Sequence, residues 1–228
     1  MKDLIVAATK REILPFLQHI QAGDLLEEGK IFETQGFDLI VTGVGMLATA
    51  YKLGEILNRS QYKLILNFGI AGSFRDDIAV ESLVCVGEES VADFGAESSQ
   101  GGYLDIFEMG LLDPNHRPFA DKKLMMNPAK YPELTSSYRE VRSLSVNRVL
   151  AHTDSIEWVK EKFDPDIVNM EGAAVFYASL QHSIDCIQIR SISDHVEKSA
   201  RGSWKIAEAI AALNQEIIKI YEARYNIP

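Results

Sequence analysis

Two carboxylates and an arginine occur close together in the chain between residues 168 and 196. Glu171 follows a short apolar segment, and Asp194 follows the alternating segment CIQIRSI, with Arg190 inside that segment, four residues before Asp194. A carboxyl group that holds or accepts a proton can do general acid–base chemistry. Each residue alone has a more ordinary explanation, because a Glu at a helix start and a capping Asp are common structural features.

The surrounding pattern predicts the elements that would position these residues. Val168–Met170 is expected to end a short strand, Glu171–His182 has apolar residues at helical spacing, and Cys186–Ile192 alternates as a strand before the polar segment SDH. Glu171 would then lie at a strand-to-helix junction, and Asp194 just past the carboxyl end of a strand. In open α/β sheets such strand ends line the ligand crevice.

The amino-terminal part of the chain supplies a third carboxylate in an equivalent place. Leu4–Ala8 is a continuous apolar run, typical of a strand buried on both faces, and Thr9 is a candidate N-cap for the helix after it. Glu12 should therefore lie near the carboxyl end of a strand. Taken alone, it would be a solvated first-turn residue that interacts favourably with the helix dipole.

Two glycine-containing segments follow further predicted strands. A GxGxxA pattern begins at Gly43, after the strand Phe37–Thr42, but the next strand, KLILNFG, lacks the acidic residue that a dinucleotide site needs for the ribose. We interpret this segment as a tight turn beside a ligand. The second segment, GIAGSF, is predicted to be a strand-ending turn in which Gly69 and Gly72 let the backbone approach a ligand.

Composition and charge narrow the class of protein. The 228 residues, 46% hydrophobic and 25% charged, suit one α/β domain over residues 1–228, and the net charge of -10 argues against nucleic-acid or anionic-membrane binding. The apolar run at the N-terminus is too short for a signal peptide and no segment is long enough to cross a bilayer, so we expect a cytoplasmic protein. Cys85 and Cys186 lie in apolar strand patterns and are predicted to be buried thiols, and no metal-ligand spacing is present.

The stretch from about 93 to 142 is the least regular part of the chain and contains four of the seven prolines. Such a stretch in a compact domain is usually a functional insertion or a partner contact, and Phe94, Phe107 and Phe119 within it could form apolar walls for a ligand or ordinary core. The other elements predicted from periodicity are a strand at Leu83–Val91, a strand at Arg142–Leu150, a helix at Asp154–Phe163 capped by Thr153 or Asp154, and a packing helix at Arg201–Tyr225.

Five segments together resemble the purine nucleoside phosphorylase and nucleosidase family, specifically its hydrolytic branch. They are AATKRE, TGVGMLATAYKLG, NFGIAGSF, VNMEGAAV and IRSISD, in this order between Leu4 and about Val196. The resemblance implies an α/β fold with a twisted, mixed central β-sheet flanked by helices, a homo-oligomer, a small-molecule purine nucleoside as substrate, and no metal or organic cofactor. The segments GIAGSF, VADFGAE and EMGLLDPNHRPF narrow the resemblance to one group of hydrolases within that branch.

The resemblance also implies roles for individual residues. Cleavage of a purine N-glycosidic bond passes through an oxocarbenium-like transition state. Asp194 would protonate the purine at N7, which requires a pKa raised by burial, Glu171 would bind the ribose hydroxyls, and Glu12 would activate a water as general base. Arg190 would steady Glu12 or the water, or else pair with a structural carboxylate. Ser193 would orient Asp194 or cap the next segment. Met170 would pack against the sugar, and Ala71 and Gly72 would lie beside the ligand.

Whether water or phosphate is the nucleophile depends on whether the protein has a site for the phosphate anion. The phosphorolytic relatives carry an Arg and a Ser at the positions that are Asn67 and Ile70 here, and neither of these neutralises a phosphate dianion; Arg75 is near but out of register. Hydrolysis is therefore predicted. Three alternatives stay open: a nucleosidase of another group in the same hydrolytic branch, a phosphate-dependent phosphorylase, and a non-catalytic nucleoside-binding module, which the retention of all three carboxylates disfavours.

Overall fold

The computed structural model describes residues 1–23, 25–59, 61–97, 103–196 and 204–225. The strands are β1 (Lys2–Ala7), β2 (Ile31–Glu33), β3 (Phe37–Val41), β4 (Tyr62–Ser73), β5 (Leu83–Val91), β6 (Gly95–Glu97), β7 (Tyr103–Asp105), β8 (Leu124–Met125), β9 (Arg139–Ser145), β10 (Ile167–Asn169) and β11 (Asp185–His195). The helices are α1 (Lys10–His19), α2 (Met46–Leu57), α3 (Pro132–Thr135), α4 (Thr153–Phe163), α5 (Gly172–Gln181) and α6 (Ile206–Tyr225), with a 3₁₀ turn at Pro128–Lys130.

A mixed central sheet with the strand order β10-β9-β5-β11-β4-β1-β3-β2 organises the molecule. Strands β3, β1, β4 and β11 run parallel to one another, whereas β2 is antiparallel to β3 and β5 is antiparallel to β11. Strand β10 also pairs antiparallel with the end of β4, through Ile167 and Ser73, so that one end of the sheet closes on itself. This architecture confirms the predicted α/β fold, and the closure brings the end of β10 beside the ends of β4 and β11.

Alternate residues of the buried strands pack on opposite faces of the sheet, as the period of two requires. Ile5 lies in a cluster with α1 and α6, while its neighbour Leu4 lies in a cluster with α2 and α5. Both faces are thus covered by helices, and the apolar run of β1 is buried as predicted. None of the helices in the described ranges combines the length and apolarity that a bilayer span requires.

Several predicted element boundaries are wrong, and strand pairing explains most of them. The segment GIAGSF is not a turn, because β4 continues to Ser73 through pairing with β11 and β10. Strand β11 likewise continues to His195, with an irregularity at Ser193, so Asp194 lies within the strand end and not beyond it. The strand predicted at Arg142–Leu150 is β9, which pairs with β5 from Arg139 and ends at Ser145.

Two helix starts also differ from the predictions. The N-cap of α4 is His152, which makes no side-chain capping hydrogen bond, so neither Thr153 nor Asp154 is the cap. Helix α6 begins at Ile206, and the residues 201–203 of the predicted helix lie outside the described part of the chain. The irregular stretch from 93 to 142 contains the short strands β6, β7 and β8 and the short helix α3.

Candidate active site

A cavity of about 550 Å³ opens at the carboxyl ends of β1, β4, β10 and β11. Parallel strands present their carboxyl ends at one edge of a sheet, which is where α/β proteins bind ligands. Seven of the eight residues that the sequence analysis assigned to the site line this cavity: Glu12, Ala71, Gly72, Met170, Glu171, Ser193 and Asp194. The three carboxylates, distant in sequence, are therefore brought to one space.

Glu12 is held by the start of its own helix. Its Oε2 accepts hydrogen bonds from the backbone N–H and the hydroxyl of Thr9, both at 2.8 Å, and Thr9 Oγ1 accepts from the N–H of Glu12 at 3.3 Å. This reciprocal capping box confirms Thr9 as the N-cap. The other oxygen, Oε1, accepts from the N–H of Ile70 at 3.4 Å. Glu12 is thus buried and fixed, and not the solvated residue that its position alone would suggest.

Glu171 stands at the N-cap position of α5 but does not cap the helix with its side chain. Its Oε1 instead accepts a hydrogen bond of 2.8 Å from the backbone N–H of Gly45, in the turn before α2. Burial raises the pKa of Glu171, and the Gly45 N–H and the positive charge of Arg190 oppose this rise. A partly desolvated carboxylate aimed into a cavity suits the binding of hydroxyl donors.

Asp194, like Glu171, has a pKa raised by burial. Burial raises its pKa, and the hydrogen bond from Ser193 and the proximity of His195 only partly offset this. The Ser193 hydroxyl donates to Asp194 Oδ1 at 2.6 Å and also lies 3.2 Å from the carbonyl oxygen of Ala71. Ser193 therefore orients Asp194. The neighbouring His195 contacts the carbonyl oxygen of Ile78 at 3.1 Å and does not line the cavity.

Arg190 lies behind the cavity wall and does not line it. Its side chain is 2% exposed, and Nη2 donates to Asn67 Oδ1 at 2.7 Å and to Gln188 Oε1 at 3.2 Å. A Cβ atom added to Gly69 would overlap Arg190 Nη1 and lie 3.3 Å from Glu12 Oε1, so the guanidinium and Glu12 border the same backbone position. In the described part of the chain, Arg190 thus hydrogen-bonds amides and not Glu12, contrary to one of its predicted contacts.

Several cavity residues were not predicted from the sequence. Arg11 lines the cavity and is exposed, while Trp204, Ile206 and Ile210 form part of its apolar wall. Helix α6 was predicted to be a packing helix without a role in the site. This prediction is wrong for the start of the helix, where Ile206 and Ile210 line the cavity. The segment 149–151 adds further apolar wall. No motif marked Trp204, Ile206, Ile210 or the segment 149–151, because they reach the cavity only through tertiary packing. Arg11 lies in the segment AATKRE, but nothing in that segment assigned it a role.

Other predicted contributors lie elsewhere. Phe94, Phe107 and Phe119 line a separate cleft of about 350 Å³, so they do not form the walls of the site cavity. Arg75 is paired with Asp164 and Asp166, at 2.6 and 2.8 Å, and does not line the cavity. Among the residues that the structure describes, no three His, Cys, Asp or Glu side chains group together as metal ligands would.

Solved structures share this fold. The chain is similar to a Streptococcus pneumoniae 5′-methylthioadenosine/S-adenosylhomocysteine nucleosidase bound to a transition-state inhibitor, with a TM-score of 0.76, 20% identity and coverage of 98% of this chain and 99% of that one. It is equally similar to native futalosine hydrolase of Helicobacter pylori, with a TM-score of 0.76, 16% identity and 98% coverage of both chains. These likenesses, with the carboxylate-lined cavity, define an α/β protein with the architecture of the nucleosidases.

Sequence comparisons place the chain more narrowly. It is 28% identical over 191 residues to futalosine hydrolase of Streptomyces coelicolor, covering 81% of this chain and 78% of the relative. It is 26% identical over 194 residues to a 5′-methylthioadenosine/S-adenosylhomocysteine nucleosidase of Haemophilus ducreyi, covering 84% and 81%. The family model of the phosphorylase superfamily matches residues 4–222. The chain belongs to the phosphorylase superfamily, which confirms the resemblance seen in its motifs.

Proposed function

We propose that the protein is an N-glycosyl hydrolase that cleaves a purine nucleoside into a free base and a ribose. The observation that carries this proposal is the convergence of Glu12, Glu171 and Asp194 on one cavity. Bond cleavage through an oxocarbenium-like transition state needs a proton for the departing base, a grip on the ribose and a positioned water. Three carboxylates in three different environments can divide these tasks.

Asp194 is the general acid. A carboxylic acid can donate to the purine near neutral pH only when its pKa is raised, and burial raises the pKa of Asp194. The hydrogen bond from Ser193 fixes which oxygen of Asp194 is free to face the base. Because Asp194 Oδ1 is engaged by Ser193, the proton would be delivered from Oδ2.

Glu171 holds the ribose, and Met170 packs against it. A single carboxylate can accept hydrogen bonds from two vicinal hydroxyls, and the Gly45 N–H fixes Oε1 of Glu171 from the other side. Met170 lines the cavity next to Glu171 and offers a polarisable apolar surface to the sugar ring. The backbone at Ala71 and Gly72 completes the wall on the side of β4.

Glu12 is the general base that activates water. Thr9 engages Oε2 twice, so Oε1 is the oxygen left to accept a proton from a water held near the Ile70 N–H. Ile70 carries no side-chain hydroxyl, and its backbone N–H takes the place of such a group. Arg190 borders the same backbone position, Gly69, as Oε1 of Glu12.

Water is favoured over phosphate because the charged groups near Glu12 are already engaged. Asn67 and Gln188 hold Arg190 below the surface, and Arg75 is paired with Asp164 and Asp166. Arg11 at the cavity edge is the cation that a phosphate would have to use. The alternative of phosphorolysis predicts that base release depends on added phosphate.

Futalosine is the proposed substrate, with hypoxanthine as the released base. This finer proposal is supported by the segments GIAGSF, VADFGAE and EMGLLDPNHRPF and by the similarity to the futalosine hydrolase of Streptomyces coelicolor. Hydrolysis of 5′-methylthioadenosine or S-adenosylhomocysteine is the alternative, supported by the relative from Haemophilus ducreyi at 26% identity. In the first case the enzyme would act in menaquinone biosynthesis.

One experiment separates these substrates and mechanisms. Purified protein is incubated with futalosine, 5′-methylthioadenosine and inosine, each with and without phosphate, and the freed base is identified by chromatography. We expect hypoxanthine from futalosine at a rate that phosphate does not change. Adenine from 5′-methylthioadenosine at a higher rate would favour the alternative substrate. Tight binding of intact nucleoside without any base would reject hydrolysis in favour of a binding module.

We also propose that the chain acts as one domain, in the cytoplasm, and as a homo-oligomer. The buried free thiols of Cys85 and Cys186 suit a reducing compartment. Two large apolar side chains one turn apart on α2, Leu47 and Tyr51, are 86% and 69% exposed, which suits burial against a second copy of the chain. Analytical ultracentrifugation of the wild type and of Leu47→Glu tests this, and a wild-type monomer at micromolar concentration would reject it.

A further inference from the structure

Glu89 is a buried carboxyl group that the proposed chemistry does not use. It lies in β5, and its side chain is 0% exposed. Its Oε1 accepts hydrogen bonds from Asn169 Nδ2 and Gln188 Nε2, both at 2.7 Å, and Oε2 accepts from Ser145 Oγ at 3.0 Å. Burial raises the pKa of Glu89, and the hydrogen bond from Gln188, the positive charge of Arg190 and the hydrogen bond from Asn169 oppose the rise. Such a group is costly to bury, so its partners indicate what it does.

The first partner connects Glu89 to the start of α5. Because Asn169 turns its NH₂ group to Glu89, its Oδ1 faces the other way and accepts from the backbone N–H of Glu171 at 2.8 Å and of Gly172 at 2.6 Å. A rotated amide would place NH₂ against these two N–H groups and leave all of them unsatisfied. Glu89 therefore fixes the orientation of the amide that holds the backbone of Glu171.

The second partner connects Glu89 to Arg190. Gln188 also turns its NH₂ group to Glu89, so its Oε1 accepts from Arg190 Nη2 at 3.2 Å. The second terminal nitrogen of the guanidinium group, Nη1, lies against the Cα of Gly69, which Glu12 Oε1 also borders. One carboxyl group thus orients two amides, of which one accepts from the backbone N–H of Glu171 and the other from the guanidinium of Arg190.

We propose that Glu89 is a positioning residue with two connections. Through Asn169 it holds the backbone of Glu171, and through Gln188 it holds Arg190, which lies beside Glu12. The inference rests on the proposed roles of Glu171 and Glu12 in nucleoside hydrolysis. Glu89 does not line the cavity, so its role would be to act through its partners. Its effect is to fix the position of Glu171 relative to Arg190, which lies beside Glu12.

Paired substitutions at Glu89 test the first connection. Glu89→Leu removes the oxygen that accepts from both amides and leaves Asn169 Nδ2 only the hydroxyl of Ser143 at 2.7 Å, whereas Glu89→Gln keeps one carbonyl oxygen that can accept from both. We expect Glu89→Leu to weaken binding of a non-cleavable C-nucleoside by about tenfold or more, the scale for unsatisfied buried polar groups, with little change in affinity for the free purine base. Glu89→Gln should retain nucleoside affinity within about threefold. A folded Glu89→Leu variant with wild-type nucleoside affinity would overturn the proposal.

Gln188→Met tests the second connection without removing Glu89. The change keeps the side-chain length and deletes the oxygen that Arg190 uses, so we expect turnover to fall by about tenfold while nucleoside affinity is retained. Unchanged turnover would overturn the proposal, and this variant decides the matter if Glu89→Leu does not fold. Asp3→Asn is the control, because Asp3 is an equally buried carboxylate at the opposite end of β1, bound to Arg224 and Tyr225. It should lower thermal stability and leave affinity and turnover unchanged.

The two proposals fail in different ways. If the wild type releases no base from any nucleoside, the proposed hydrolysis fails, and the affinity comparison still tests whether Glu89 positions Glu171. If the wild type is active and the variants at Glu89 and Gln188 behave like it, the hydrolysis stands and the positioning role is refuted.

Discussion

The backbone N–H of Gly45 donates a hydrogen bond of 2.8 Å to Oε1 of Glu171, across 126 residues of sequence. Gly45 adopts φ 89° and ψ 162°, a conformation that is essentially restricted to glycine, and it is the N-cap of α2. The glycine pattern that resembles a dinucleotide fingerprint thus orients a carboxylate. It aims a backbone donor at the residue proposed to hold the ribose.

Gly45→Ala is expected to weaken nucleoside binding through the backbone alone. A Cβ at Gly45 would meet no atom within 4 Å, so any effect arises from the disfavoured φ and ψ, which cost about 1–3 kcal/mol. The turn should relax, move its N–H away from Glu171 and lower nucleoside affinity. Gly54→Ala is the matched control, because Gly54 also has no atom within 4 Å but lies inside α2, where Ala is favoured by about 1 kcal/mol. Equal nucleoside affinities in the two variants, measured by calorimetry, would contradict the assignment.

Asp194→Asn is expected to cut turnover by about 100-fold or more, because the amide cannot supply a proton to the departing purine. Nucleoside affinity should be retained, since Asn has the same shape and can still accept from Ser193. Steady-state release of the free base measures the first quantity, and equilibrium binding of intact nucleoside measures the second. Near-normal turnover would remove Asp194 from the role of general acid.

The raised pKa of Asp194 also makes stability depend on pH with a defined sign. Below the ordinary Asp pKa of about 4, the group is protonated in the folded and the unfolded state. As pH rises through the raised pKa of the folded state, the fold must hold a desolvated carboxylate and loses stability. Urea unfolding at several pH values should therefore show Asp194→Asn gaining stability relative to the wild type as pH rises.

Asp164→Asn provides a control of opposite sign. Hydrogen bonds from Arg142 and Arg75 lower the pKa of Asp164, so its contribution is present above the ordinary Asp pKa and is lost as pH falls through the lowered value. Asn also tolerates the left-handed conformation of residue 164, with φ 42°. This variant should lose stability relative to the wild type at neutral pH and approach it in acid. The same sign in both variants would contradict the environments assigned to the two carboxyl groups.

Glu12 has two separable functions, as a member of the capping box and as the proposed base. Glu12→Gln keeps a side chain that can complete the box, so it should lower turnover by about 100-fold with a small change in stability. Glu12→Ala should lose both, with about 0.5–2 kcal/mol less stability. Thermal unfolding and base release, measured on both variants, separate the effects. Turnover of Glu12→Gln close to the wild type would show that another group activates the water.

Local sequence predicted the elements of the fold and the places of the three carboxylates, whereas the resemblance of five segments to a known family assigned these carboxylates to one site. Hydrophobic patterns mark β1, β10 and β11, and Glu12, Glu171 and Asp194 lie at or just after their carboxyl ends. The walls formed by Trp204, Ile206 and Ile210 depend on how α6 packs, which no local pattern contains. Glu89 was missed for a related reason. A polar residue in a loosely alternating strand resembles a solvent-facing one until its buried partners are known.

Arg11 leads to a prediction about the part of the substrate beyond the ribose. It lies at the edge of a largely apolar cavity, and the described residues place no carboxylate in an ion pair with it. A nucleoside with a negatively charged substituent should therefore bind more tightly than a neutral analogue. Arg11→Met should reduce this preference by about two- to fivefold, the scale of an exposed ion pair, and added salt should reduce it likewise.

The neighbouring Lys10 supplies the control for that measurement. Lys10 carries the same charge on the same turn of α1, but it does not line the cavity, and its Nζ donates to the carbonyl oxygen of Leu26 at 3.4 Å. Lys10→Met changes net charge as Arg11→Met does, so long-range attraction falls equally in both. A preference for the anionic nucleoside that falls in Arg11→Met alone indicates direct contact at the cavity edge. An equal fall in both variants would show that Arg11 acts only through the net charge of the protein and does not contact the substituent.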